Sequence, residues 1–151
     1  MQLKKAPSLT TLAFSTRTTL PELNAFVRTV ARQLYREAVR LDLEITGPII
    51  WQYDGVDGKP ETVFQLDILL PIHSAQGEPA DTLAFKTVAA FSCASVEHTG
   101  PWDGLAIVYP SLRSRLMQEG YQQGARSREV YINMDFENPA NNVTEIQVQI
   151  I

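Results

Sequence analysis

The sequence predicts an α+β fold in which one group of elements occurs twice. Each half of the chain contains a strand-like segment, a segment with helical spacing of apolar residues, and two further strand-like segments. The clearest strands end the chain, at 129–136 and 142–150, and a turn rich in Asn and Pro joins them. We therefore expect two βαββ units, at approximately 8–72 and 83–151, that build an antiparallel sheet.

The final strands of the two halves match when they are aligned end to end. This alignment places Asp67 and Ile68 beside Glu145 and Ile146. The repeat is visible mainly as element order, but it has a structural consequence. Two half-sheets related by an approximate two-fold axis leave a groove between the halves, and we expect both main helices on one side of the sheet.

Alternation in the last strand separates an apolar face from a polar face. Ile146 points to one side and Glu145 to the other. In the preceding strand the same alternation is expected to place Tyr131 on the face of Glu145 and Val130 on the apolar face. We expect the apolar face to carry the helices and the opposite face to form the groove. A solvated sheet face explains the same pattern, and alternation alone does not choose between these interpretations.

The first half contains one long helical pattern. Residues 1–7 are expected to form a short arm. A helix should begin at Thr19, because Glu22 three residues later completes a capping box, and its apolar spacing continues to Leu41. The strands expected around this helix are 8–18, 49–54 and 62–72.

The second half repeats this plan. Residues 83–98 are extended, with a break expected at 88–90. A second helix should follow Trp102, and Pro110 inside its apolar pattern is expected to kink or divide it. Gly120 is a suitable stop for this helix.

Composition limits the function classes. The chain has 151 residues, enough for one domain over 1–151, and its formal net charge is −4. This charge argues against direct nucleic-acid binding, and the sequence contains no segment apolar enough for a signal peptide or a membrane span. The single Cys93 suits a reducing compartment, so a cytoplasmic location is expected. Two scattered histidines and one cysteine predict no metal site, and we expect no cofactor.

Three short motifs occur in a fixed order along the chain. They are HTGPW at 98–102, REVYIN at 128–133 and TEI at 144–146, and Gly47-Pro48 with Tyr53 is a weaker match in the first half. With these motifs the chain resembles the gyrase-inhibitor-like (GyrI-like) small-molecule-binding domains. These domains also serve as effector-binding domains of bacterial transcription activators. The resemblance implies a duplicated βαββ fold, in agreement with the repeat.

The resemblance also implies a ligand site. Family members hold a buried glutamate in an aromatic-lined groove, where it faces cationic, aromatic ligands, and we map that glutamate to Glu145. A desolvated carboxylate is compensated by a flat cation that also stacks on aromatic faces. The candidate aromatic walls are Tyr131, Trp102, Tyr53, Trp51 and Phe91. Each of them also has the alternative of being an ordinary core residue, and Trp102 stands where relatives often carry Tyr.

These observations predict a stand-alone protein that binds a cationic or aromatic, drug- or toxin-like molecule. About 20 residues of arm and strand before the first helix leave no room for the DNA-binding helix-turn-helix of some relatives. Two alternatives stay open. One is a hydrolase of strained, cyclopropane-bearing genotoxins that uses Glu145 as a catalytic acid or base. The other is a protein-interaction module that inhibits or sequesters a partner protein.

Overall fold

The computed structural model describes residues 1–80 and 82–151. Within them the chain forms eight strands, two α-helices and three short 3₁₀-helices. The strands are β1 Gln2–Ala6, β2 Leu9–Thr18, β3 Ile50–Asp54, β4 Phe64–Pro71, β5 Leu83–Val88, β6 Phe91–Thr99, β7 Gln123–Asn133 and β8 Val143–Ile150. The helices are α1 Thr29–Arg40 and α2 Leu105–Gln118, and the 3₁₀-helices are Leu20–Ala25, Trp102–Gly104 and Pro139–Asn141.

The eight strands form one antiparallel sheet in the order β1-β6-β8-β7-β3-β4-β2-β5. This order is symmetric about the pairing of β3 with β7, where Trp51 lies opposite Glu129. Ile68 of β4 lies opposite Trp51, and Ile146 of β8 lies opposite Glu129. The two isoleucines are therefore equivalent positions, as the end-to-end alignment predicted. The α+β class and the duplication are confirmed.

Residues 1–7 do not form the predicted arm. Gln2–Ala6 is strand β1 at one edge of the sheet, paired with β6, and β5 takes the equivalent edge position beside β2. Strand β1 precedes the first repeat and pairs with the second, whereas β5 begins the second repeat and pairs with the first. The largely polar segment QLKKA carries little alternation, and its strand structure comes from hydrogen bonding to β6.

The first helical segment is interrupted, which corrects the prediction of one helix from Thr19. The chain forms a 3₁₀-helix at Leu20–Ala25, and α1 starts only at Thr29. Between them Arg28 has φ 69° and ψ −42°, and the Thr29 N–H donates to the Val27 carbonyl at 2.8 Å. This is the geometry of a classic γ-turn, which is rare and strained for residues other than glycine.

The second helix is not divided at Pro110. Helix α2 runs without a break from Leu105 to Gln118, with exposed Pro110 inside it. It ends as predicted at Gly120, which has φ 82°, and the Tyr121 N–H donates to the Leu116 carbonyl at 2.9 Å. This Schellman arrangement needs the left-handed backbone that glycine adopts without strain.

Both helices cover the same face of the sheet. From α1, Val30, Leu34 and Ala38 pack on the half of the sheet that contains β2, β3 and β4. From α2, Leu105, Leu112 and Leu116 pack on the half that contains β6 and β8. The core therefore lies between one sheet face and two helices. No helix in the described part of the chain is long and apolar enough to cross a membrane.

Candidate functional site

Glu129 lies at the centre of the molecule, between the two halves. Its neighbours across the sheet are Trp51 and Ile146, so its side chain points to the helix-covered face. Only 8% of the residue is exposed. The Tyr109 hydroxyl donates to one carboxylate oxygen at 2.8 Å, and the Tyr131 hydroxyl donates to the other at 2.7 Å. Both oxygens of a buried acid are therefore held in place.

Two cavities meet at this carboxylate. The smaller, about 220 Å³, we call the aromatic chamber, and its rings are Phe26, Trp51, Tyr53, Trp102, Tyr131 and Phe136. The larger, about 510 Å³, we call the aliphatic chamber, because Leu20, Leu23, Val56, Leu105 and Val148 contribute much of its wall. Glu129 and Tyr53 line both chambers. A volume of several hundred cubic ångströms suits a drug-sized molecule.

The chambers lie between the helices and the sheet. Ala106, Tyr109 and Arg113 of α2 line the aliphatic chamber, and Val27 and Ala31 line the aromatic chamber. These two chambers therefore lie on the helix-covered face, whereas the sequence predicted a groove on the opposite face. On that opposite face a third cavity, about 260 Å³, is lined by Lys4 and Glu145. The face that carries the core therefore also carries these two chambers.

The walls of the aromatic chamber are fixed by ring contacts. The Trp102 and Tyr131 ring centroids lie 5.5 Å apart, and the Trp51 and Tyr131 centroids lie 6.2 Å apart, both edge to face. The Trp102 indole N–H also donates to the Thr144 hydroxyl at 3.2 Å. Such contacts limit side-chain motion, so the rings are held in place before a ligand binds.

The environment of Glu129 disfavours a negative charge. Burial raises the pKa of its carboxyl group, and the hydroxyl groups of Tyr131, Tyr109 and Tyr53 oppose this rise by stabilising the carboxylate. Burial, together with the charge of Glu129, raises the pKa of each of these tyrosines well above 10, so they stay protonated donors. Within the described residues no Lys, Arg or His forms an ion pair with Glu129. The carboxylate thus has donors but no cation.

Glu145 and Tyr131 lie on opposite faces of the sheet. The register pairs Tyr131 with Thr144, while Glu145 pairs with Val130. Directly opposed residues share a face, so the prediction that Tyr131 and Glu145 share one is wrong. Alternation gives the two faces of each strand separately, but only the register between strands says which faces coincide.

Glu145 is held by partners on the face away from the helices. Its carboxylate forms an ion pair with Lys4 at 2.6 Å and accepts hydrogen bonds from Ser95 and Gln147. Burial alone would raise the pKa of Glu145, but these three partners outweigh it and the pKa is lowered. Its carboxylate already has a cation.

The repeat contains a second copy of this ion pair. Lys86 forms an ion pair with Asp67 at 2.9 Å. Asp67 is the repeat equivalent of Glu145, and Lys86 and Lys4 each lie two residues before the end of an edge strand, β5 or β1. The Lys4–Glu145 pair is therefore one of two equivalent links between an edge strand and the sheet. The ligand-binding role of Glu145 stays a prediction.

The structure brings four of the predicted aromatic residues together and separates the fifth. Trp51, Tyr53, Trp102 and Tyr131 line the aromatic chamber. Phe91 instead contacts the Arg128 guanidinium, 4.7 Å from its ring centroid, on the other face.

The sequence interpretation missed Glu129 and Tyr109. The REVYIN motif contains Glu129, but it was used only as a sign of the family. Tyr109 belongs to the apolar pattern of the second helix and carries no separate signal in the sequence.

A family model described as a GyrI-like small molecule binding domain matches residues 1–151. A search of curated proteins finds no match. Among solved structures, the C-terminal domain of EcmrR superimposes with a TM-score of 0.79 at 18% identity, over 99% of this chain and 96% of that one. EcmrR in its DNA complex gives 0.80 at 19% identity, and 99% of this chain spans 56% of that chain.

Two further structures carry functional descriptions. SAV2435, bound to tetraphenylphosphonium, has a TM-score of 0.63 at 15% identity, over 99% of this chain and 93% of its own. A hydrolase from Listeria innocua has a TM-score of 0.65 at 12% identity, over 99% of this chain and 92% of its own. At these identities the likeness shows a shared fold.

Proposed function

The chain belongs to the GyrI-like family of small-molecule-binding domains, and from this premise we propose that it binds an aromatic cation at Glu129. One observation carries the proposal. A buried carboxylate, held by two tyrosine hydroxyls and lacking a cation among the described residues, opens onto a chamber walled by aromatic rings. We thus assign to Glu129 the contact with the ligand's positive charge that the sequence predicted for Glu145.

The energetics favour a cationic ligand over a neutral one of the same shape. Desolvation makes the ionised form of Glu129 costly, and a ligand cation offsets that cost. Trp51, Trp102 and Tyr131 add attraction between the cation and the ring faces. Charge-assisted contacts contribute roughly 1.5–3 kcal/mol each, so a micromolar affinity, about 8 kcal/mol in all, is expected for a ligand that also fills apolar space.

SAV2435 supports this ligand class. It shares the fold and binds tetraphenylphosphonium, a lipophilic cation with four phenyl rings. We propose the same chemical class for this chain, on the strength of its own carboxylate and rings.

A pair of ions with the same shape and opposite charge tests the proposal. Tetraphenylphosphonium and tetraphenylborate should be titrated separately into the protein by calorimetry. The cation is expected to bind with a Kd in the micromolar range, and the anion about 100-fold more weakly or not at all. Equal binding of both ions would show that the site recognises apolar surface without regard to charge.

The raised pKa of Glu129 favours a second candidate function, hydrolysis. An acid whose pKa is shifted toward neutrality is suited to proton transfer, which typically contributes ~10²–10⁴-fold to a rate. The likeness to a Listeria innocua protein described as a hydrolase agrees with this reaction class. Incubation with a cyclopropane-fused indole alkylator, followed by mass spectrometry, tests it. Ring-opened product should form faster with wild type than with Glu129→Gln, and equal rates would leave binding as the function.

A further inference from the structure

The aliphatic chamber contains a positive charge that the proposed function does not use. Two arginines line this chamber, Arg113 from α2 and Arg126 from β7. Arg126 forms an ion pair with Asp54, with 2.8 Å between Nε and Oδ1. Arg113 is half-buried and lies over the Tyr109 ring, 5.9 Å from its centroid, and it forms no ion pair among the described residues. One guanidinium in the chamber is neutralised and the other is not.

A ligand that fills this chamber changes the solvation of Arg113. Displacing water from a half-buried guanidinium is unfavourable unless the ligand supplies acceptors in exchange. The protein offers no such compensation, because Glu129 is the one carboxylate among the described residues that line the chamber. Glu129 already accepts hydrogen bonds from Tyr109 and Tyr131. An acidic group on the ligand would form a charge-assisted and geometrically matched contact with the Arg113 guanidinium.

We propose that the ligand is zwitterionic, with an aromatic cation at Glu129 and a carboxylate or another acidic group at Arg113. The inference rests on the proposed function, since it assumes that the cationic part of the ligand binds at Glu129. It assigns Arg113 as the residue that distinguishes a zwitterion from a simple cation. The two protein charges belong to different elements, β7 and α2, and the chamber lies between them.

Two dyes that differ by one methyl group test the assignment. Rhodamine 110 carries a free carboxylate on a cationic ring system, and its methyl ester, rhodamine 123, lacks that negative charge. Fluorescence anisotropy gives the Kd of each dye for wild type, Arg113→Gln and Arg113→Lys. The control is Arg115→Gln, which removes the same charge from the same helix at a residue that pairs with Glu119 and does not line the chamber.

For wild type, the acid should bind at least as tightly as the ester. Arg113→Gln should weaken the acid by about fivefold or more and leave the ester unchanged or slightly tighter, because a repelling charge is removed. Arg113→Lys should keep part of the preference for the acid, and Arg115→Gln should leave the ratio of the two Kd values within about twofold of wild type.

The outcomes separate this inference from the proposed function. If the ester binds and Glu129→Gln weakens it, but Arg113→Gln leaves the ratio of acid to ester unchanged, the assignment of Arg113 is wrong and the cation site stands. If Arg113→Gln and Arg115→Gln change the ratio equally, the effect is a general one of net charge and the assignment is also wrong. If neither dye binds wild type, the proposed function fails and this inference fails with it.

Discussion

A single arginine joins the two repeats on the far side of the sheet. Arg128 is fully buried, and its guanidinium donates to the Gln52 side chain and to the carbonyls of Pro7 and Ala89, at 2.8–2.9 Å. Pro7 lies between β1 and β2, and Ala89 lies at the equivalent place between β5 and β6. Burial, together with repulsion from Arg126, lowers the pKa of Arg128 to about 10, and no carboxylate of the described residues bonds to the guanidinium. Three neutral acceptors hold the charge in place of an acid.

Replacement of Arg128 by lysine should therefore be strongly destabilising. An ammonium group cannot reach three acceptors in the plane of a guanidinium, so at least one buried carbonyl loses its donor. We expect Arg128→Lys to lower the free energy of unfolding by about 3 kcal/mol in urea titrations. The matched control Arg126→Lys changes a partly exposed ion pair and should cost about 1 kcal/mol or less. Equal losses in the two variants would contradict the role given to Arg128.

Glu129 should reduce stability at neutral pH. Its pKa is raised in the folded protein, whereas an unfolded chain gives a glutamate pKa of about 4.3. The folded state holds the proton more tightly, so stability falls as the pH rises above the unfolded value, until the folded pKa is passed. Glutamine does not titrate. Its amide oxygen can accept from one tyrosine hydroxyl, and its NH2 group can donate to the oxygen of the other.

Glu129→Gln should thus melt near the wild-type temperature at pH 4 and above it at pH 8. Thermal melts by circular dichroism at intervals between these values give the difference in Tm, which should grow with pH. A difference that stays constant across the range would show that the carboxylate is not disfavoured in the folded state.

At the scale of single elements, the sequence predicted every strand except β1, and it assigned the faces of β8 correctly and those of β7 wrongly. The alternation in the last two strands is real, but the central run of β7 places Arg128 and Glu129 on opposite faces, both buried. Charged residues buried on both sides of one strand violate the rule that polar positions mark solvent. Alternation alone predicts that Val130 faces the helices, but the register places Glu129 and Tyr131 on that face.

The sequence did not predict the break between the first 3₁₀-helix and α1, for a different reason. Apolar spacing continues across the 3₁₀-helix and the turn, so periodicity alone indicates one helix. The γ-turn depends on the backbone of Arg28, a residue type that gives no turn signal. Arg28 also stacks on Phe136 at the edge of the aromatic chamber, with 4.8 Å from its guanidinium carbon to the ring centroid.

Strain at this turn reverses the usual order of alanine and glycine. Arg28→Gly and Arg28→Ala both remove the guanidinium, but only glycine adopts φ 69° without strain. The glycine variant should be the more stable one by about 1 kcal/mol in urea unfolding. At Arg36, exposed inside α1, the same pair of substitutions should favour alanine by about 1 kcal/mol. An alanine preference at both positions would show that the turn is unstrained.

For the whole molecule, the two-fold relation explains why the candidate site is central and why it is asymmetric. Tyr53 lies two residues after Trp51, and Tyr131 lies two residues after Glu129, so the two tyrosines are equivalent and line one chamber. At the axis itself Trp51 faces Glu129. The repeat supplies aromatic walls from both halves, and one departure from the repeat supplies one carboxylate. The sequence predicted the repeat, and four of the five aromatic residues that it proposed line the aromatic chamber. Glu129 could not be selected in the same way, because its face follows only from the pairing of β3 with β7.

We propose that Glu129, and not Glu145, determines the preference for a cationic ligand. The most direct measurement is the Kd of a cationic dye, such as rhodamine 123, for wild type and for each single variant. Circular dichroism checks that each variant is folded. Glu129→Gln should weaken the cation by about 10-fold to 100-fold, since a charge-assisted contact in a buried site is lost. Glu145→Gln should leave the Kd within about twofold of wild type, because its carboxylate serves Lys4 on the other face. A large loss in Glu145→Gln together with wild-type affinity in Glu129→Gln would contradict the claim.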